Sequence, residues 1–125
     1  MPAPVDIAIR RDPLAPGSAR RAVARFADVL DPALLTDAQL LVSELVTNAV
    51  KYGGEGELCL QLRSERDGHL RVQVVDQGSG FVPVARDRPA TEVGGWGLHM
   101  VETLSDRWGV HEGSTHVWFE LERAL

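Results

Sequence analysis

The chain has 125 residues with 13 basic and 18 acidic side chains, a net charge of −5 and 44% apolar residues. This is the size of one domain with one core. It is too apolar for a disordered chain, and its acidity speaks against broad binding to nucleic acid or to an anionic membrane surface. The apolar runs are too short to span a bilayer, the single cysteine excludes an internal disulfide, and no charged-then-apolar leader opens the sequence, so a cytoplasmic protein is expected.

A strand is expected near Val5, after which Pro13 and Pro16 break the chain. Ser18 then suits an N-cap for a helix whose apolar side is Ala22, Val23, Phe26, Ala27 and Leu30. Asp31-Pro32 punctuates that helix, and Thr36 with Gln39 forms a capping-box signature ahead of a second one, which Gly53 and Gly54 should end. The period then changes. Leu58, Leu60 and Leu62 alternate with polar neighbours, Asp67-Gly68 is a hairpin turn, and Leu70, Val72 and Val74 alternate along a second strand. Cys59 lies in the first of these strands and reads as a buried small hydrophobe. The stretch from Val82 to Gly94 carries Pro83 and Pro89 and reads as a loop. A short helix with Leu98, Val101 and Leu104 inward follows, and "RWGVHE" and "HVWFELE" close the chain as strands around a turn at Gly113. An antiparallel or mixed sheet with helices on one face accommodates this order.

Three short segments interrupt an otherwise ordinary pattern. In "LLVSELVTNAVKYGG", Glu44 and Asn48 sit one helical turn apart, about 40° around the axis, beside an apolar arc of Leu41, Val42, Leu45, Val46 and Ala49. Both side chains are placed to line a cleft, although on this pair alone a solvated helix face explains the pattern as well. "DQGSG" (76–80) follows a strand and "GGWGL" (94–98) opens a helix. Glycine allows close backbone approach to a ligand, and helix N-termini present N–H groups that suit phosphate; each cluster alone also reads as a turn. No P-loop motif occurs. "GWGLHM" lacks the third glycine and the preceding strand of a dinucleotide fingerprint, so a Rossmann cofactor is excluded.

In series, these segments resemble the N box ("ELVTNAVKYG") and the two glycine boxes of the GHKL ATPase superfamily, and the wider chain resembles the bacterial anti-sigma factor serine/threonine-protein kinases. The resemblance implies a Bergerat fold: an α+β two-layer sandwich with a mixed, mostly antiparallel sheet and helices packed on one face, here a single ATP-binding domain over residues 1–125. It implies ATP and Mg²⁺ as ligands. Glu44 would be the general base, Asn48 the Mg²⁺ ligand, and Asp76 the acceptor for the adenine amino group. Gly78 and Gly80 would pass close to the base. Gly95, Gly97 and Leu98 would hold phosphate at the start of the following helix, Thr115 would support Asp76, and Val82–Gly94 would be a lid. Where several family kinases carry histidine this chain has Tyr52, and the lid has no lysine; Arg86 and Arg88 read as solvated.

The partners implied are a sigma factor and an anti-anti-sigma antagonist, with a homodimer and with neither nucleic acid nor membrane bound directly. One alternative is a regulator that binds ATP and protein partners without phosphotransfer. Another, the ATP-binding part of a sensor histidine kinase, needs a phosphoacceptor helical hairpin for which the sequence has no segment. His69, His99, His111 and His116 show no metal-ligand spacing and read as surface or packing residues. Trp96 suits stacking on nucleotide, while Trp108 and Trp118 suit a core or an interface. Arg20, Arg21 and Arg25 form a basic stripe on the first helix.

Overall fold

A computed structural model describes residues 2–52, 56–76, 100–110 and 116–123. The elements run β1 (Val5–Ile9), α1 (Ala15–Ala24), a 3₁₀ turn (Ala27–Val29), α2 (Pro32–Tyr52), β2 (Leu58–Arg63), β3 (His69–Asp76), β4 (Arg107–Val110) and β5 (His116–Glu122), with a further helical turn at 100–104. The strands form one sheet in the order β1-β2-β3-β5-β4, and every described pairing is antiparallel. The class is therefore the expected α+β sandwich.

Period-two patterning decides which face of the sheet is covered. One row of partners crosses all five strands as Ile7, Leu60, Val74, Val117 and Val110; the next is Val5, Leu62, Val72, Phe119 and Trp108. Leu60, Leu62, Val72, Val74, Val117 and Phe119 are buried beneath the helices, and Ile7 and Trp108 pack at the margin of the same core. The opposing layer comes from Leu41, Val42, Leu45, Val46 and Ala49 of α2 and from Ala19, Ala22, Val23 and Phe26 in and after α1. Each large side chain buried here contributes about 1.5–3 kcal/mol, so this interface is the main source of stability. Alanines at 15, 19 and 22 let α1 lie close to α2. Arg20 then donates to the Ser43 hydroxyl at 2.8 Å, and the Gln39 amide donates to the Arg20 carbonyl at 3.1 Å.

The helix starts differ from those expected. α1 begins at Ala15, not at Ser18, with Pro16 inside its first turn, where the missing N–H removes no intrahelical bond. Asp12, rather than Ser18, accepts the Leu14 N–H, at 2.8 Å. α2 begins at Pro32, capped by the Asp31 carboxylate, which accepts the Leu34 N–H at 2.7 Å. Thr36 and Gln39 therefore lie within the helix and form no capping box: the Thr36 hydroxyl bonds back to the Pro32 carbonyl, and Gln39 reaches α1. Ala27 is exposed and Val29 buried, because the chain has by then tightened into a 3₁₀ turn.

The β2–β3 hairpin turns at Gly68, whose φ of 81° requires glycine. Its N–H donates to the Val29 carbonyl at 2.6 Å, tying the hairpin to the helical layer. Cys59 is half-buried, not buried: it alternates with Leu58 and Leu60 and so faces away from the helices. Partial burial and the Asp6 charge raise its thiol, with Arg63 opposing, so it is a weakly acidic thiol. Gly53, Gly54, Trp96, His99, His111, Gly113 and the proposed lid from Val82 to Gly94, with Arg86 and Arg88, lie outside the described residues.

Candidate functional site

The second half of α2 carries a local conflict between propensity and burial. Leu45, Val46 and Ala49 are wholly buried, and Asn48, in the middle of them, is only 5% exposed. Burying an amide costs free energy unless it is satisfied, so core packing alone gives no reason for one here. Glu44, a turn earlier, is half-buried, as is Thr47, and Lys51 is exposed. The pair therefore sits at the edge between the covered and the open sides of the helix.

The sheet brings Asp76 to the same end of the molecule. Ile9, Leu58 and Asp76 are register partners across β1, β2 and β3, so the end of β1, the start of β2 and the end of β3 share one rim of the sheet. Asp76 is 2% exposed, and its carboxylate forms an ion pair with Arg11. Arg11 leaves the end of β1 and spreads its guanidinium over three segments. Nε–H donates to the Gly56 carbonyl at 2.6 Å, one terminal amino group donates to the Ala49 carbonyl of α2, and the other meets Asp76. Ala49 is the neighbour of Asn48 and among the last carbonyls of α2, which have no partner within the helix and favour a cation. One side chain thus joins the N-box helix to the carboxylate at the end of β3.

Of the residues singled out by sequence, Glu44, Asn48 and Asp76 are described; Arg11 ties the Ala49 carbonyl, next to Asn48, to Asp76. Gly78, Gly80, Gly95, Gly97, Leu98 and Thr115 lie outside the described residues. Arg11 was not anticipated. Its three acceptors lie 38 to 65 residues away, and no local motif points to it.

Among the described residues no group of three or more His, Cys, Asp or Glu is arranged to hold a metal ion. A magnesium ion carried by nucleotide phosphates needs few protein ligands, and the Asn48 amide oxygen is a hard donor of the type it takes. The donor chemistry fits that ion. No helix among the described residues is long and apolar enough to cross a membrane.

Comparison with known proteins shows what the chain and its fold are similar to. The family model described as a histidine kinase-like ATPase domain matches residues 10–121. The chain is similar to the anti-sigma F factor of Clostridium acetobutylicum, 34% identical over 102 aligned residues covering 70% of this chain and 69% of that protein. It is also similar to the anti-sigma F factor of Pasteuria penetrans, 38% identical over 102 residues, 71% of this chain and 68% of that one. Among solved structures, the RsbU and RsbW domains of Rv1364c from Mycobacterium tuberculosis share the fold, with a TM-score of 0.70 at 22% identity over 98% of this chain. The chain spans 32% of the length of that solved chain.

Proposed function

Because the chain belongs to the histidine kinase-like ATPase domain family, and an ATPase domain binds nucleotide, we propose that it is an anti-sigma-factor-like regulator with serine/threonine-protein kinase activity. Its substrate is an anti-anti-sigma antagonist, and it controls transcription by partner switching. The observation that carries the reading is the Glu44–Asn48 pair: a buried amide with a half-buried carboxylate one turn before it, in a helix whose remaining inward positions are apolar. The similarity to proteins named anti-sigma F factor supports the choice of partners.

Bound ATP with Mg²⁺ supplies the phosphoryl group and neutralises its charge. Asn48 holds the metal through its amide oxygen. Asp76 accepts a hydrogen bond from the adenine amino group, with Thr115 behind it and Gly78 and Gly80 beside the base. Gly95, Gly97 and the N–H of Leu98 hold phosphate. Glu44 takes the proton of the attacking serine hydroxyl as that oxygen bonds to the γ-phosphorus and the bond to the bridging oxygen of ADP breaks. Residues 1–125 act as one cytoplasmic ATP-binding domain that pairs with a second copy.

Titration calorimetry with ATP and Mg²⁺ tests the site: binding is expected for the wild type and is lost or weakened about tenfold or more in Asn48→Ala and Asp76→Ala. Transfer of labelled γ-phosphate to the cognate antagonist tests catalysis. Glu44→Ala is expected to keep ATP binding and lose at least about 100-fold in transfer. If partner control survives that change unaltered, the protein is a non-catalytic ATP-dependent regulator.

A further inference from the structure

Arg11 is a second determinant of this rim. The turn that carries it is fixed: the Asp12 N–H donates to the Arg10 carbonyl at 2.9 Å, and the Asp12 carboxylate accepts the Leu14 N–H at 2.8 Å. The Asp76 side chain is wholly buried and that of Arg11 is 12% exposed. A carboxylate buried on this scale needs partners that replace water, and the Arg11 guanidinium is one of them.

Resting on the reading that Asp76 meets the base of a bound nucleotide, we propose that Arg11 is a positioning residue that sets base preference by holding the Asp76 carboxylate in a fixed orientation. A charged carboxylate accepts hydrogen bonds and cannot donate them. It therefore pairs with the 6-amino group of adenine and repels the 6-oxo group of guanine or hypoxanthine. Without the guanidinium, the Asp76 carboxylate loses the fork that orients it at this rim. A carboxylate that is not held towards the 6-position favours neither base strongly, so discrimination falls. Three diverging N–H groups are needed to reach Gly56, Ala49 and Asp76 together, a fork that arginine has and lysine lacks.

The test is titration calorimetry of the full chain with Mg·ATP and Mg·ITP, whose bases differ at the 6-position in this way, on wild type, Arg11→Gln and Arg11→Lys, with circular dichroism to show folding. The wild type is expected to bind ATP at least about tenfold more tightly than ITP. Arg11→Gln should bring the ratio to within about twofold, and Arg11→Lys should fall between. A merely structural role would weaken both nucleotides equally and leave the ratio in place, so a folded Arg11→Gln with the wild-type ratio overturns the proposal. If Arg11→Gln does not fold, Arg11→Lys decides: an unchanged ratio refutes and a reduced one supports. Wild type that binds neither nucleotide removes the reading of the site itself; wild type that binds both equally removes only the role of Arg11.

Discussion

The two ends of the sheet both carry arginine–carboxylate pairs, yet they are built differently. At the rim formed by Ile9, Leu58 and Asp76, one arginine meets one wholly buried aspartate and closes two backbone carbonyls besides. Towards the other end, Glu120 receives Arg71 at 3.0 Å and Arg107 at 2.7 Å, and Glu122 pairs with Arg66 and Arg107, with every one of these arginines about a third to a half exposed. The first arrangement replaces water around a charge; the second shares its charges with water. An exposed pair contributes about 0–1 kcal/mol, whereas removing one partner of a buried pair costs about 3–5 kcal/mol because the other is left uncompensated. Sequence composition treats these arginines as equals. Burial separates them.

Arg11→Met should give the largest effect, a loss of about 3–5 kcal/mol in urea unfolding, because Asp76 loses the guanidinium that replaces water around it. A loss below about 1 kcal/mol would mean that the two ends do not differ. The next effect, at the other end, is one of shape. Trp118 lies with its ring on Gly109 and under the Arg71 guanidinium, 4.3 Å from the ring centroid, and a Cβ on Gly109 would stand 2.9 Å from the ring. Gly109→Ala should cost about 1–3 kcal/mol by thermal unfolding and alter tryptophan fluorescence. Arg66→Met, by contrast, should change unfolding free energy by no more than about 1 kcal/mol, with any difference shrinking further as salt is added.

The smallest expected effect is a pH dependence. Partial burial pushes the Glu120 carboxyl up, but hydrogen bonds from Arg107 and Arg71, with the Arg107 charge, outweigh it and hold the group below its ordinary value of 4.5. Its folded value is thus lower than its unfolded one, so the unfolded chain binds more protons in that window and stability rises with pH there. The contribution is fully present above about pH 4.5 and is lost as pH falls through the lower folded value. Unfolding free energies between pH 3 and 6 should therefore converge for wild type and Glu120→Gln at the acid end and separate, by no more than about 1 kcal/mol, towards pH 6.

Much of the fold was legible because it rests on periodicity. Leu58, Leu60 and Leu62 and then Leu70, Val72 and Val74 announce two half-covered strands, and the hairpin between them is marked by Gly68 with its positive φ. The helix starts were misplaced because proline was read as a break. In α1 and α2 it occupies the first turn, and Asp31 rather than the capping-box pair supplies the cap. Cys59 was read as buried, although its parity with Leu58 already placed it outward. Of the candidate site, Glu44, Asn48 and Asp76 were singled out from short motifs. Arg11 was not, because its role depends on Ala49, Gly56 and Asp76 arriving from three separate segments.

By itself the sequence determined which residues alternate, which helix face is apolar, and that a polar pair interrupts it, since all of these are local repeats set by backbone geometry. Only the tertiary structure decided that Asp76 would be wholly buried, that Arg11 would be a cation beside it, and that an arginine after β1 would be more buried than those around Glu120. The physical reason is that the worth of a charge depends on how much water surrounds it. That is fixed where distant segments meet, at a rim no stretch of sequence contains.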